Sequence, residues 1–288
     1  MKKVLVICGP TATGKTKFAL QIAKKYGGEL VSADSRQVYK GKNIITGKDL
    51  PQESQWVDAK PGYYNLGYTK IWLYDVVSAT KEFSVALWHD LAVQVIEDIR
   101  QRGGLPIVVG GSGLYIKSLT HLLSDISAPR NIKLRQELIK KDVDDLFGYL
   151  KRVDSKRAEM MNESDRRNPR RLVRAIEISL AKSANYHLPS TNYDLLQIGL
   201  TAPREELYRR VDKRIADRIR AGAAREDPIL AADPQGWQNQ EHSIVRQQLT
   251  WFKKQPSINW FDITLQNWQT EAGKRVEKWY NEADAAQG

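Results

Sequence analysis

Residues 9–16 read Gly9-Pro10-Thr11-Ala12-Thr13-Gly14-Lys15-Thr16, which is a complete G-x-x-x-x-G-K-[ST] phosphate-binding loop. Residues 4–8, just before the loop, form an apolar run that is typical of a strand buried on both faces. Residues 15–26, just after it, place Phe18 and Ile22 at helical spacing. A strand, a glycine-rich loop and a helix in this order predict a P-loop at the start of an α/β fold.

The chemistry of this loop suits a diphosphate or a polyphosphate. Its glycines let backbone N–H groups point at phosphate oxygens, and the N-terminus of the following helix adds partial positive charge. Lys15 supplies a point charge, and the hydroxyl of Thr16 can ligate a phosphate-bound Mg²⁺. We therefore predict that residues 9–16 bind phosphates and that Thr16 is a metal ligand.

The net charge indicates a polyanionic partner. The chain carries 45 Lys and Arg against 34 Asp and Glu, a net charge of +11. A protein that holds nucleic acid needs such an excess, whereas a small-molecule kinase does not. A solvated basic surface is the alternative explanation.

Composition also bounds the location of the protein. No apolar run approaches the length of a membrane span, and the first residues show no signal-peptide pattern. The single cysteine, Cys8, allows no disulfide within the chain, and the four histidines, His89, His121, His187 and His242, form no metal-ligand spacing. We expect a cytoplasmic protein without a membrane partner.

Hydrophobic periodicity predicts an α/β protein with a P-loop NTPase-like parallel sheet flanked by helices and a smaller, mostly helical insertion. We predict that residues 1–125 form the first part of the core, that residues 126–192 form the basic helical region, and that residues 193–288 return to the core. Residues 71–77 are predicted as a strand, residues 41–70 as irregular, and residues 226–242 as a loop because they are rich in Pro, Asp, Gln and Asn.

Ligands of open α/β sheets bind outside the carboxyl ends of the strands, where residues 9–16, 32–39 and 110–115 are expected to meet. Asp34 is the only carboxylate near the first two strand ends. It is the best candidate for a general base or for a Mg²⁺ ligand. A helix N-cap is the structural alternative for this aspartate.

Arginines cluster in two places. Residues 166–174 contain five of them, and Arg170 and Arg174 share a helix face with Arg171 beside them. This crowding favours a bound anion over a solvated surface, and guanidinium groups suit phosphate. The second group, in which Arg210 and Arg214 repeat the four-residue spacing, is more ambiguous because acidic residues lie near it.

Together these motifs resemble the tRNA dimethylallyltransferases. The order and spacing of the motifs match over most of the chain. The matching stretches are residues 9–16, Ser32-Ala33-Asp34-Ser35 with Gln37-Val38-Tyr39, residues 109–115, residues 171–177, residues 204–211 and Gln248-Leu249-Thr250-Trp251-Phe252. The segment after Gly47 and the short stretch 224–246 depart from the family pattern.

The resemblance implies transfer of a dimethylallyl group from dimethylallyl diphosphate to the N6 amine of the adenosine 3′ of the anticodon in tRNA. The loop would then hold the donor diphosphate with Mg²⁺, and the partner would be the anticodon stem-loop, bound by a monomer. Asp34 would accept the proton, and Thr11 with Arg210 or Arg214 would assist catalysis. The implied tRNA contacts are Asp34, Ser35, Arg36, Gln37, Ser112, Arg170, Arg171 and Arg174.

Two other functions share some of these features. A P-loop kinase of a nucleotide or small metabolite has the same loop, but it consumes ATP and uses a small acceptor. A non-catalytic RNA-binding protein has the same basic charge, but it has no use for an intact Lys15, Thr16 and Asp34.

Overall fold

The computed structural model describes residues 2–120, 128, 130–181 and 192–282. The chain divides into two compact units, which are a core unit of residues 1–120 with 191–288 and an insertion unit of residues 121–190. His121, His187 and the predicted boundary between residues 125 and 126 lie outside the described residues.

The described part of the core unit contains one eight-stranded sheet, in the order β3-β4-β5-β2-β6-β1-β7-β8. The five pairs from β5 to β8 are parallel, and β3, β4 and β5 pair antiparallel. The strands are β1 (Lys3–Cys8), β2 (Gly28–Ser32), β3 (Gln55–Val57), β4 (Tyr63–Asn65), β5 (Lys70–Trp72), β6 (Leu105–Gly110), β7 (Asp194–Thr201) and β8 (Ile258–Asp262). This arrangement confirms the predicted α/β fold with a mostly parallel sheet.

Helices flank this sheet and build the insertion. In chain order they are α1 (Lys15–Tyr26), α2 (Asn43–Thr46), α3 (Val85–Gln101), α4 (Gly113–Thr120), α5 (Ile132–Leu138), α6 (Val143–Val153), α7 (Ser155–Met160), α8 (Glu163–Arg166), α9 (Pro169–Ala181), α10 (Arg204–Arg220), α11 (Pro228–Ala232), α12 (Pro234–Phe252) and α13 (Trp268–Glu282). No helix in the described ranges is long and apolar enough to cross a membrane.

Apolar side chains of β1 alternate between the two faces of the sheet. Leu5 and Ile7 are fully buried in one hydrophobic cluster with Phe18 of α1. Val4 and Val6 are buried in the cluster on the other face, which α3 supplies with Trp88 among others. Because β1 is covered on both faces, it reads as a continuous apolar run rather than as an alternating pattern. The phosphate loop therefore starts from the rigid centre of the sheet.

The predicted strand 71–77 is wrong beyond its second residue. Strand β5 ends at Trp72 because Leu73 and Asp75 adopt left-handed backbone conformations with φ of 65° and 55°. The predicted irregular segment 41–70 is also corrected, because it contains α2 and the β3–β4 hairpin.

The prediction of a loop over residues 226–242 is wrong as well, because this segment contains all of α11 and the first part of α12. The residues that look like helix breakers are helix starters. Asp227 accepts a hydrogen bond from the N–H of Leu230 at 2.9 Å, and Asp233 accepts one from Gly236 at 2.9 Å. A proline follows each aspartate at the first helical position, where its missing N–H costs nothing.

The insertion unit has a small core of its own. Helices α6 and α9 bury Leu146, Leu150, Leu172 and Ile176 against one another. Asp142 caps the N-terminus of α6 by accepting the N–H of Asp145 at 2.8 Å. The described part of this unit is helical, in keeping with the predicted class of the insertion.

Candidate active site

A cleft of about 670 Å³ lies at the carboxyl ends of β1, β2 and β6. The phosphate loop contributes Thr11, Ala12, Gly14, Lys15 and Thr16 to its lining. Asp34, Arg36 and Gln37 enter from the end of β2, and Arg210 and Arg214 enter from α10. The structure thus brings the phosphate loop, the candidate base and the second arginine group to one place.

The phosphate loop is closed by its own hydrogen bonds. The hydroxyl of Thr13 and the ammonium of Lys15 both donate to the carbonyl of Pro10, at 2.9 and 2.7 Å. Gly9 has a φ of 130°, and a Cβ there would lie 2.2 Å from the carbonyl oxygen of Leu200. Only glycine therefore lets the loop pass this close to β7.

Lys15 is the cation at the floor of the cleft. Desolvation lowers the pKa of its ammonium to about 8. The positive charge of Arg214 contributes to this lowering, while the negative charge of Asp34 opposes it. A dianionic phosphate is the kind of partner that restores the charged form.

Asp34 lies in a turn and does not cap a helix. Its Oδ1 accepts the backbone N–H of Arg36 at 2.9 Å, which fixes the carboxylate at the end of β2. The next residue, Ser35, donates its backbone N–H to the hydroxyl of Ser112 at 2.8 Å. Asp34 and Ser112 are thereby held on neighbouring loops, whereas the helix N-cap alternative for Asp34 is wrong.

The side chains of Arg36 and Gln37 both bind other residues of the protein. The guanidinium of Arg36 forms an ion pair with the buried carboxylate of Glu241 on α12. Gln37 is buried, accepts from the hydroxyl of Ser32 at 3.1 Å and donates to the carbonyl of Gly47 at 2.9 Å. Both ends of its amide are therefore hydrogen-bonded within the protein, and the expected contact of Gln37 with tRNA stays a prediction.

The two α10 arginines differ in what they touch. Arg214 donates to the hydroxyl of Thr11 at 3.2 Å and to the carbonyl of Gly47 at 3.2 Å, and it pairs with Asp49 at 2.8 Å. Arg210 instead donates to the carboxylate of Glu206 at 2.7 Å. Of the two candidates, Arg214 is therefore the one that contacts the phosphate loop.

Gln248 of α12 was not predicted as a site residue. Its Oε1 accepts the backbone N–H of Thr11 at 2.8 Å, and its Nε2 donates to the carbonyl of Gly111 at 3.0 Å. It thus ties the phosphate loop to the loop after β6. Residues 248–252 were among the stretches that resemble the family, but the sequence pattern did not indicate which residues Gln248 contacts.

Three of the five arginines at residues 166–174 have acidic partners. Arg167 pairs with Glu163 at 2.5 Å, Arg171 pairs with Asp165, and Arg174 pairs with Glu177 at 3.2 Å. These ion pairs offset the crowding that favoured a bound anion, and contact of this cluster with tRNA stays a prediction. Arg170 is exposed, and no ion pair of Arg170 is found among the residues described.

Glu177 is the buried centre of this basic cluster. Burial favours its neutral form, but hydrogen bonds from Arg135, at 2.6 and 2.7 Å, together with those from the backbone N–H of Asn131 and from Arg174, outweigh that effect and lower the pKa of its carboxyl. Arg174 also donates to the carbonyl of Ala128 at 2.9 Å. The guanidinium of Arg174 is thus fixed within the insertion unit.

A family model described as IPP transferase matches residues 37–244. The chain belongs to this family. Among its relatives, the tRNA dimethylallyltransferase of Anoxybacillus flavithermus is 34% identical over 91% of each chain. The enzyme of the same name from Pediococcus pentosaceus is 35% identical over 97% of each chain. The predicted family membership is confirmed.

Solved structures of IPP transferases share the fold. The full-length tRNA isopentenylpyrophosphate transferase of Bacillus halodurans matches with a TM-score of 0.67 and 28% identity, over 100% of this chain and 99% of that one. A eukaryotic dimethylallyltransferase acting on tRNA matches with a TM-score of 0.79 and 25% identity, over 99% of this chain and 80% of that one.

Proposed function

We propose that this protein transfers a dimethylallyl group from dimethylallyl diphosphate to the N6 amine of the adenosine 3′ of the anticodon in tRNA. Membership of the IPP transferase family and the names of the relatives support this activity. The observation that carries it is the cleft itself. A phosphate loop, a carboxylate and Arg214 line one site, as a transfer from a diphosphate to an amine requires.

The reaction forms a bond from N6 to the allylic carbon and breaks the bond from that carbon to the diphosphate oxygen. Asp34 accepts the N6 proton, and pyrophosphate leaves with the electron pair of the broken bond. Lys15, Arg214 and Thr11 stabilise the negative charge that collects on the leaving group. The exocyclic amine is a poor nucleophile, so alignment of Asp34 with it matters as much as basicity.

The cleft offers oxygen ligands that fit Mg²⁺. The hydroxyl of Thr16 is half-buried in the lining, and the carboxylate of Asp34 is in the same lining. Hydroxyl and carboxylate oxygens are ligands that Mg²⁺ accepts alongside water and phosphate. When bound, Mg²⁺ would neutralise charge on the diphosphate, with Thr16 as its protein ligand.

The acceptor is the anticodon stem-loop of tRNA, bound by a cytoplasmic monomer. A net charge of +11 supports association with a polyanion. The adenosine must leave its stack to reach Asp34, which costs a few kcal/mol and less in a single-stranded loop than in a duplex. Ser35, half-exposed Arg36 and Ser112 surround Asp34 and are the proposed contacts in the core unit.

The test is incubation of the protein with labelled dimethylallyl diphosphate, Mg²⁺ and bulk tRNA, followed by digestion of the RNA to nucleosides. We expect label in N6-(dimethylallyl)adenosine. Asp34→Ala serves as the matched negative control. No label in RNA with wild-type protein, together with phosphate transfer from ATP to a small acceptor, would replace this proposal by the kinase.

A further inference from the structure

Helix α12 places one carboxylate inside the core unit, next to the turn that carries Asp34. Glu241 is only 3% exposed. Both of its oxygens accept from the guanidinium of Arg36, one of them at 3.4 Å. No other ion pair of Glu241 is recorded in the described ranges. Because a buried carboxylate without a partner is costly, Glu241 determines where the guanidinium of Arg36 lies.

Arg36 is also part of the Asp34 turn. Its backbone N–H donates to Oδ1 of Asp34 at 2.9 Å, which restricts rotation of that carboxylate. Although burial opposes the shift, the negative charges of Glu241 and Asp34 raise the pKa of Arg36. The guanidinium therefore stays charged. A continuous set of contacts leads from α12 through one residue to the candidate base.

We propose that Glu241 is a positioning residue of the transfer reaction, which acts through Arg36 to hold the carboxylate of Asp34 toward the acceptor amine. The inference rests on the proposed function and names a residue for which the sequence pattern gave no role. Glu241 has no contact with the phosphate loop among the hydrogen bonds described. Its loss should therefore lower the rate of transfer and leave donor binding intact.

The competing explanation is that the pair only stabilises the fold. Removal of one partner from a buried ion pair leaves an uncompensated charge, whereas replacement of both partners by apolar residues of similar size is often neutral or stabilising. A double variant, Arg36→Met with Glu241→Met, therefore separates the two roles. It removes the charge problem but does not restore the link from α12 to the Asp34 turn.

The experiment compares four proteins with wild type. They are Glu241→Gln, Arg36→Met, the double variant, and Glu205→Gln as a control at an exposed glutamate of α10. Each is measured for melting temperature, for pyrophosphate affinity, and for single-turnover transfer of labelled dimethylallyl to saturating tRNA. The double variant should regain the stability that either single variant loses. All three should transfer roughly tenfold to a hundredfold more slowly, with pyrophosphate affinity within about twofold of wild type.

Several results would overturn the inference. A double variant that transfers at the wild-type rate shows that the pair only stabilises the fold. A rate loss matched by an equal loss of pyrophosphate affinity shows that the donor site was disturbed instead. If the single and double variants do not fold, Glu241→Asp keeps both charges but shortens the side chain by one methylene group, and an unchanged rate of transfer in that protein overturns the inference. Absence of label transfer by the wild-type protein would instead contradict the proposed function. That result is distinguishable from the others because it is seen without any substitution.

Discussion

The guanidinium of Arg214 donates a hydrogen bond to the hydroxyl of Thr11, 3.2 Å away, across 203 residues of sequence. This contact joins α10 to the phosphate loop. It resolves an ambiguity of the sequence, in which Arg210 and Arg214 were equal candidates. It also gives the site a cation in addition to Lys15.

The first prediction compares these two arginines. Arg214→Gln should lower the rate of transfer by roughly 10² to 10³, because it removes a preorganised donor at the leaving group. Arg210→Gln should cost less than about tenfold, because that side chain is engaged with Glu206. Single-turnover rates at saturating donor measure both. Equal losses in the two variants would contradict the assignment.

A second prediction concerns the role of Asp34. Asp34→Ala should reduce turnover on the order of 10² to 10⁴ while pyrophosphate affinity stays within a few-fold. Asp34→Asn can still accept the N–H of Arg36, so it keeps the turn and loses only the proton acceptor. We expect both variants to be similarly slow. Activity retained in Asp34→Asn alone would make the residue a positioning group rather than the base.

The sequence was most informative where chemistry and backbone geometry coincide. The backbone at Gly9 and Gly14 has φ values that other residues rarely adopt, so the sequence must carry glycine there. The phosphate loop can therefore be recognised from the sequence. The Asp-Pro pairs at 227–228 and 233–234 led to the wrong prediction of a loop, because Asp and Pro are common both in loops and at the start of helices. Single-sequence patterns cannot distinguish the two uses.

Contacts between distant segments could not be predicted from the sequence. Glu241 and Arg36 are 205 residues apart, and Gln248 and Thr11 are 237 apart. Each contact depends on where α12 packs, and that is decided by the whole core rather than by local propensity. The end of β5 escaped prediction for another reason. The left-handed conformation of Leu73 is one that a leucine rarely adopts.

A third prediction follows from the two hydrogen bonds of Gln248. Gln248→Leu leaves the N–H of Thr11 and the carbonyl of Gly111 without their partner, and an unsatisfied buried group costs about 1–3 kcal/mol. We expect pyrophosphate affinity and transfer rate to fall together. Gln247→Leu, at the exposed neighbouring position of α12, is the control and should change neither by more than about twofold.

The fourth prediction is a pH dependence of donor binding. The ordinary pKa of a lysine is 10.5, and Lys15 lies at about 8 in the free protein. Below pH 8 its ammonium is charged and binds diphosphate; as the pH rises through 8 the free protein loses this charge. A bound diphosphate favours the ammonium, so binding between about pH 8 and 10 should weaken and take up a proton.

Calorimetric titration of pyrophosphate in buffers of different ionisation enthalpy measures that proton. Lys15→Arg is the matched control, because a guanidinium remains charged over this range. Its affinity should therefore show no break near pH 8, whatever its absolute value. A wild-type affinity that is constant from pH 7 to pH 9.5 would mean that Lys15 does not contact the phosphates.

The last prediction separates two arginines of α9 that the sequence treated alike. Arg170 is exposed, and no carboxylate is paired with it in the described ranges, so Arg170→Gln should make the salt dependence of tRNA binding shallower by about one unit. Arg174 is held by buried Glu177 and by the carbonyl of Ala128. Arg174→Gln should instead lower the melting temperature, because it removes a partner from a buried carboxylate. Filter binding of tRNA from low to high salt, with thermal melts of the same proteins, distinguishes a tRNA contact at Arg170 from a structural role of Arg174. If the salt dependence of tRNA binding is the same in Arg170→Gln as in wild type, Arg170 is a solvated surface residue and does not contact tRNA.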